Sequence, residues 1–250
     1  MYSKPRAATV KAKVTLVEAN KMGGDCLNTG CVPSKALIKS AKVAEQMRHA
    51  DRYGLKPVEP EVPFRETIER VMGAIRTIEP HDSVERYTGL GVDVVEGYGR
   101  VVDPWTVEIA RKDGGVQRLT TRAIVIAAGA GPLIPSIPGL EASGYLTSDT
   151  MWDALATMDR APARVAVLGG GPIGCELSQA LARLGSQVTQ VEMADRVLGR
   201  EDPDVSLEAQ TALDGDSGRS IVRGGGCLLL LLSLLNFFLV SGSYLFHFRI

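Results

Sequence analysis

Two cysteines separated by four residues, Cys26 and Cys31, lie in the string Gly23-Gly24-Asp25-Cys26-Leu27-Asn28-Thr29-Gly30-Cys31-Val32-Pro33-Ser34-Lys35. A thiol attacks as its thiolate, and a helix N-terminus or a neighbouring cation favours that form. Pro33 suits the first turn of a helix, where its missing N–H costs no bond. Cys31 is therefore expected at a helix start, with the positive charge of Lys35 one turn further on. The preceding glycines let the backbone run close to a flat cofactor or partner. Cysteines so placed read as a dithiol that opens and closes. A structural zinc site would need about four ligands, and Cys175, Cys227, His49, His81 and His247 form no second ligand pair. A purely structural disulfide suits small secreted domains. This chain carries four cysteines in 250 residues, and Met1–Lys13 lacks the apolar core of a secretory signal.

The second chemical signal is Val165-Ala166-Val167-Leu168-Gly169-Gly170-Gly171-Pro172-Ile173-Gly174. A lone GxGxxG says little, but here it follows a β-run and opens a helix with apolar positions at Ile173, Leu177, Ala180, Leu181 and Leu184. A second β-run, Gln187–Val191, then ends on Glu192. In such a unit Gly169 makes the tight turn, Gly171 admits a pyrophosphate to the backbone, and Gly174 packs helix on strand. The anion sits on the helix N-terminus. A carboxylate at Glu192 accepting from ribose hydroxyls is worth about 1.5–3 kcal/mol and repels a 2′-phosphate. NADH is therefore expected over NADPH by about tenfold or more, with nearby Arg196 softening that preference. Cys175, inside the helix, reads as a small buried hydrophobe.

These signals need strands and helices to position them. Val14–Glu18 is a β-branched run ending on Glu18, a carboxylate placed to meet a ribose if the strand is the second of a dinucleotide fold. Pro33–Arg48 has helical apolar spacing at Leu37, Ala41, Ala44 and Met47, and Phe64–Thr88 is a charged amphipathic helix broken at Pro80. His81 reads as a surface residue. Val92–Arg100 is a strand running into Gly97-Tyr98-Gly99, and Thr106–Arg122 is a hairpin turning at Asp113-Gly114-Gly115. Ala123–Ala128 reads as a buried strand ending at Gly129-Ala130, after which prolines break regular structure. The hydrophobic fraction, 45%, suffices for a sizeable core, and a net charge of −1 gives no electrostatic case for nucleic acid.

The thirteen-residue cysteine string resembles the redox-active disulfide motif of the class I pyridine nucleotide–disulfide oxidoreductases, and its wording is most similar to mercuric-reductase-like flavoproteins, then to dihydrolipoamide dehydrogenase. The resemblance covers about residues 13–206. It implies an α/β fold of two Rossmann-type dinucleotide-binding domains, for FAD and NAD(P), both incomplete. Residues 1–12 are an unstructured start, 13–150 the FAD-binding domain with the redox disulfide, 151–208 the first βαβ unit of the NAD(P)-binding domain, and 209–250 a divergent tail. The cofactors implied are FAD and NAD(P)H. Electrons pass from NAD(P)H through FAD to a Cys26–Cys31 disulfide. Cys31 lies against the flavin and Cys26 exchanges with substrate, a small-molecule disulfide or mercuric ion. Lys35 sits near the reactive ring, Glu18 holds the adenosine ribose, Gly24, Gly99 and Gly129 line the FAD site, and Gly169, Gly171, Gly174 and Glu192 line the nucleotide site. No resident metal is expected.

Both ends depart from the pattern. A first strand, glycine turn and helix for the FAD pyrophosphate is not found ahead of Val14, and the His–Glu acid–base pair and dimer contacts of the family's last domain do not follow Ser206. The homodimer of the intact family is accordingly in doubt, and a non-catalytic fragment stands as an alternative. Residues 224–248 contain no Asp, Glu, Lys or Arg. They read either as a single-pass membrane anchor or as a frame-shifted end, with the latter slightly preferred. The expected location is cytoplasmic, with membrane association through this run as the alternative.

Overall fold

In the computed structural model, which describes residues 12–215, 219–223 and 238–241, the elements run in chain order as follows. They are β1 (Val14–Glu18), α1 (Gly24–Asn28), α2 (Cys31–Arg48), α3 (Phe64–Ile78), α4 (Val84–Gly89), β2 (Val92–Asp103), β3 (Thr106–Arg111) and β4 (Val116–Thr120). Then come β5 (Leu146–Thr147), α5 (Met151–Ala156), β6 (Arg164–Leu168), α6 (Pro172–Arg183), β7 (Gln187–Glu192), α7 (Pro203–Asp214), β8 (Arg219–Arg223) and β9 (Phe238–Ser241). The described residues form two units, one of residues 12–28 and 75–129, the other of 29–74, 130–215, 219–223 and 238–241.

The first unit is a four-stranded sheet in the order β1-β2-β3-β4. The β-branched β1 pairs in parallel with β2, Val14 opposite Val92 through Glu18 opposite Glu96. Strands β2, β3 and β4 continue as an antiparallel meander. Leu16, Val92 and Tyr87 of α4 form its small core, with Val14, Met22 and Val94 packed around them. Gly97 is a strand glycine because its Cβ would run into the Ala110 carbonyl of β3. The hairpin turn falls where the Asp113-Gly114-Gly115 pattern sets it: the Asp113 carboxylate accepts the Gly115 N–H at 3.1 Å, and Arg111 N–H donates to the Gly115 carbonyl at 2.8 Å. On the open face, the Arg100 and Arg118 guanidiniums, 2.8 and 2.7 Å from the Glu108 carboxylate, hold that carboxyl below its usual range.

The second unit is a parallel sheet of five strands in the order β5-β9-β6-β7-β8. The β6–α6–β7 crossover sets Val165 against Val188 and Leu168 against Val191 in parallel register. Strand β6 reads as a continuous apolar run after Arg164 because parallel strands are buried on both faces. Val165, Ala166, Val167 and Val188 have no exposed surface. Helix α6 turns Leu177, Ala180 and Leu181 to the core, where α2 contributes Ala36, Leu37 and Ala41, α3 contributes Phe64, Ile68 and Val71, and α5 contributes Met151, Trp152 and Leu155. The expected apolar face of α2 is correct at Leu37, Ala41 and Ala44, but Met47 is 39% exposed. Helix α3 ends at Ile78 and a short 3-10 turn, Glu79–Asp82, carries Pro80. That is the break expected from a residue with no N–H to give.

Two expectations need correction or placement. Ala123–Ala128 forms no strand, and Val125 and Ile126 stand 72% and 66% exposed. An apolar run becomes a strand only where a sheet edge accepts its hydrogen bonds, and among the described residues none pairs with it. The start, residues 1–11, and most of the apolar run 224–248 lie outside the described residues. Within that run Phe238–Ser241 is strand, not helix, seated between β5 and β6. Among the described residues no helix is long and apolar enough to cross a membrane.

Candidate functional site

The glycine turn predicted to receive a nucleotide is built at the C-terminal end of β6. Gly169 has φ +112°, a conformation open to glycine and costly for other residues. The N-cap of α6 is Gly171, with Pro172 at its first position. The space beside Gly171 is open, with nothing within 4 Å of where a Cβ would stand. Gly174 is the opposite case, since its Cβ would collide with the Gly169 carbonyl and approach Gln190 Nε2 to 3.2 Å. Helix α6 thus lies against the turn at a distance only glycine allows, while the space beside its N-cap Gly171 is open. This is the arrangement that receives a pyrophosphate.

Glu192 ends β7 beside this turn. One carboxylate oxygen accepts the Gly170 N–H at 2.5 Å and the other accepts the Ala194 N–H at 2.8 Å. The same device recurs at the end of β1, where Glu18 accepts the Asn20 N–H at 2.8 Å. Both strand-end carboxylates are thus oriented by backbone amides and remain partly exposed. Arg196, expected to soften a preference against 2′-phosphate, is instead bonded to the Gly199 and Glu201 carbonyls of its own loop, at 3.2 and 3.1 Å.

The cysteines lie on two helices consecutive in the chain. Cys26 lies in α1 and Cys31 is the first residue of α2, with Gly30 as N-cap. Both are exposed. The Asn28 side-chain amide donates to the Met22 and Gly24 carbonyls at 3.0 and 2.9 Å, closing the turn ahead of Cys26. Two residues before Cys31, the Thr29 carbonyl accepts from the buried Trp152 indole at 2.8 Å. Lys35, one turn into α2, donates to Glu176 of α6 at 2.6 Å. Their side chains are 60% and 41% exposed, so the pair adds only about 0–1 kcal/mol to stability.

The remaining predicted residues lie in the first unit. Gly24 (φ +57°) starts α1, and the space beside Gly129 (φ +74°) abuts the Asp25 carboxylate at 3.2 Å. Gly99 faces Val17 of β1, whose Cγ1 stands 3.3 Å from the Cβ position, so strand packing already accounts for a glycine there. Sequence reasoning missed three residues: Trp152, Leu198, and Gln190, whose fully buried amide donates to the Gly169 carbonyl at 2.9 Å. A glutamine inside an apolar strand, next to a glycine turn, was the available signal. Cys175 is buried as expected, its sulfur 3.4 Å from the Gly170 carbonyl. A groove of about 320 Å³ beside Val43, Met47 and Arg70 is lined by none of the predicted site residues.

Residues 3–218 match the family described as pyridine nucleotide-disulphide oxidoreductase. The chain is 32% identical over 222 residues to a mercuric reductase of Lysinibacillus sphaericus, covering 88% of this chain and 38% of that protein. It is 35% identical over 219 residues to a dihydrolipoyl dehydrogenase of Bacillus subtilis, covering 83% and 44%. Among solved structures it is similar to the HOCl-induced flavoprotein disulfide reductase RclA from Escherichia coli, with a TM-score of 0.69, 25% identity, and coverage of 88% of this chain and 45% of that one. The chain thus spans less than half the length of the curated relatives it matches. With the βαβ glycine turn and the Cys26/Cys31 helices in the described structure, this match assigns the chain to the class I pyridine nucleotide–disulfide oxidoreductase family.

Proposed function

We propose that this chain carries electrons from NAD(P)H, with FAD, to a Cys26–Cys31 disulfide and on to a small-molecule disulfide or mercuric ion. The observation that carries the reading is the 2.6 Å Lys35–Glu176 pair. It ties the helix that begins at Cys31 to the helix whose N-terminus is the nucleotide turn. The residues present fit both cofactors in part. The open space at Gly171, with Glu192 held by the Gly170 N–H, suits a dinucleotide with a free ribose 2′-hydroxyl. Glu18 would hold the other adenosine ribose, and Gly24 and Gly129, both at positive φ, would line the flavin side.

When bound, FAD supplies a two-electron carrier between nicotinamide and disulfide. The chain's own residues do the rest. The α6 N-terminus binds phosphate, Glu192 orients ribose and disfavours a 2′-phosphate, and Lys35 holds positive charge one turn from Cys31. In the net step NADH gives up a hydride, solvent gives a proton, the S–S bond breaks, and two thiols form. Cys26 then attacks the substrate disulfide and releases one thiol. Cys31 attacks the resulting mixed disulfide, releasing the second thiol and re-forming the Cys26–Cys31 bond. Alternatively the two sulfurs lose their protons and bind mercuric ion, and a second NADH supplies the two electrons and proton that give Hg(0), one thiol and one thiolate.

A mercuric-reductase-like activity ranks first on the wording of the cysteine string, with a dihydrolipoamide-dehydrogenase-like one second. A third reading, nucleotide binding without turnover, is favoured by the exposed Val125 and Ile126, where the apolar run Ala123–Ala128 was expected to form a buried strand. Thiol counting separates these. In anaerobic protein supplied with FAD, NADH should raise the alkylatable thiols by two in wild type and by none in Cys26→Ser. No NADH-dependent gain in wild type would refute electron transfer. A kcat/KM ratio near one for NADH and NADPH would refute the role given to Glu192.

A further inference from the structure

The loop that follows β7 grips the nucleotide turn from both sides. The Gly170 N–H donates to Glu192 at 2.5 Å, and the Gly170 carbonyl accepts the Leu198 N–H at 2.7 Å. Gly170 itself has no room for a side chain, because the Glu192 carboxylate stands 2.8 Å from its Cβ position. Leu198 has φ +51° and is the non-glycine residue with positive φ among the described residues. A leucine keeps that conformation only where its surroundings hold it. Here Glu201 N–H returns to the Leu198 carbonyl at 2.8 Å, and the buried Ser206 hydroxyl holds the Val197 carbonyl at 2.6 Å. The Arg196 guanidinium spans the turn to the Gly199 and Glu201 carbonyls on its far side.

We propose that Arg196 is a positioning residue for nucleotide selectivity: it braces the 196–201 turn so that Leu198 and Glu192 clamp Gly170. The inference rests on the nucleotide reading of this site. Two consequences follow from the geometry. The guanidinium is spent on its own loop and is withheld from a 2′-phosphate. The Glu192 carboxylate, fixed through Gly170, stays where the ribose hydroxyls arrive. An arginine beside the ribose site would ordinarily be assigned to phosphate binding, and here it acts in the opposite sense.

The test compares Arg196→Ala, Arg196→Lys and Arg200→Ala in the full chain, Arg200 being the nearby cation that controls for charge. Amide hydrogen exchange is followed in peptides containing Gly170 and Leu198, and Kd is measured separately for NADH and NADPH. Arg196→Ala should speed exchange at both sites and raise the NADH Kd about tenfold, with NADPH changing less than about twofold. The selectivity for NADH therefore falls. Arg196→Lys, which keeps donors for the carbonyls, should restore most of it, and Arg200→Ala should change neither readout. Unchanged exchange in Arg196→Ala overturns the brace. A raised NADPH Kd with NADH unaffected shows the guanidinium reaching the 2′-phosphate and overturns the proposal, as does an equal effect from Arg200→Ala. A wild-type chain that binds neither nucleotide overturns the nucleotide reading and the selectivity role with it, whatever the exchange result.

Discussion

Gly171 and Gly174 stand one turn apart on the same helix start, and alanine should have opposite consequences at the two. At Gly174 the added methyl meets the Gly169 carbonyl and stands 3.1 Å from its carbonyl carbon and 3.2 Å from Gln190 Nε2. Accommodating it moves α6 off the turn, which costs about 1–3 kcal/mol as overpacking. It also endangers the buried Gln190–Gly169 hydrogen bond, at about 1–3 kcal/mol for an orphaned partner. The better helix propensity of alanine returns about 1 kcal/mol. The net expectation for Gly174→Ala is a loss of about 1–5 kcal/mol. At Gly171 the backbone, φ −72° and ψ 176°, is open to any residue, and nothing lies within 4 Å of the methyl. Gly171→Ala should therefore unfold within about 0.5 kcal/mol of wild type. Yet it should lose NADH affinity by tenfold or more, the methyl filling the space a pyrophosphate would take. Urea unfolding reports the first quantity and NADH fluorescence titration the second. Gly171→Ala that binds NADH like wild type would refute the assignment of that open space. Gly174→Ala of unchanged stability would refute the packing argument.

Three other outcomes follow from the same geometry. Leu181, fully buried between α6 and the sheet core, should cost about 2–5 kcal/mol on truncation to alanine, read by urea midpoint; a loss under 1 kcal/mol would mean the core can collapse around it. The Glu108 carboxyl is held below its ordinary range by Arg100 and then Arg118, so its contribution is present above the unfolded-state value and is lost as pH falls through the folded one. The gap in thermal midpoint between wild type and Glu108→Gln should therefore narrow from pH 7 to pH 3, and a constant gap would contradict the pairing. Lys35→Met should shift stability by no more than about 1 kcal/mol, because its pair with Glu176 is exposed, while slowing NADH-dependent disulfide reduction; unchanged turnover would remove Lys35 from the site.

Local chemistry was legible where sequence dictates backbone. The glycine turn, α6 and Glu192 follow from a pattern whose every member has a steric or electrostatic reason, and the hairpin follows from Asp113-Gly114-Gly115. What sequence withheld was partnership. Ala123–Ala128 has strand composition, but composition cannot supply the neighbouring edge that makes a strand, and Val125 and Ile126 lie exposed. Helix α2 follows β1 in sequence, yet its Leu37 shares a core with Leu177 and Leu181 of α6, a long-range choice that apolar periodicity does not encode. The left-handed Leu198 carries no signal in its residue type and is held there by the hydrogen bonds around it. The partners of Arg196 were likewise not legible: its hydrogen bonds to two backbone carbonyls of its own loop carry no signal in the sequence.

The most direct measurement is the visible absorption spectrum of the chain purified from riboflavin-rich cells, taken before and after anaerobic addition of NADH. The account predicts a flavin spectrum that bleaches on addition of NADH in wild type, with the bleaching lost in a variant whose nucleotide turn is blocked at Gly171. A protein that stays colourless even after incubation with FAD would contradict it.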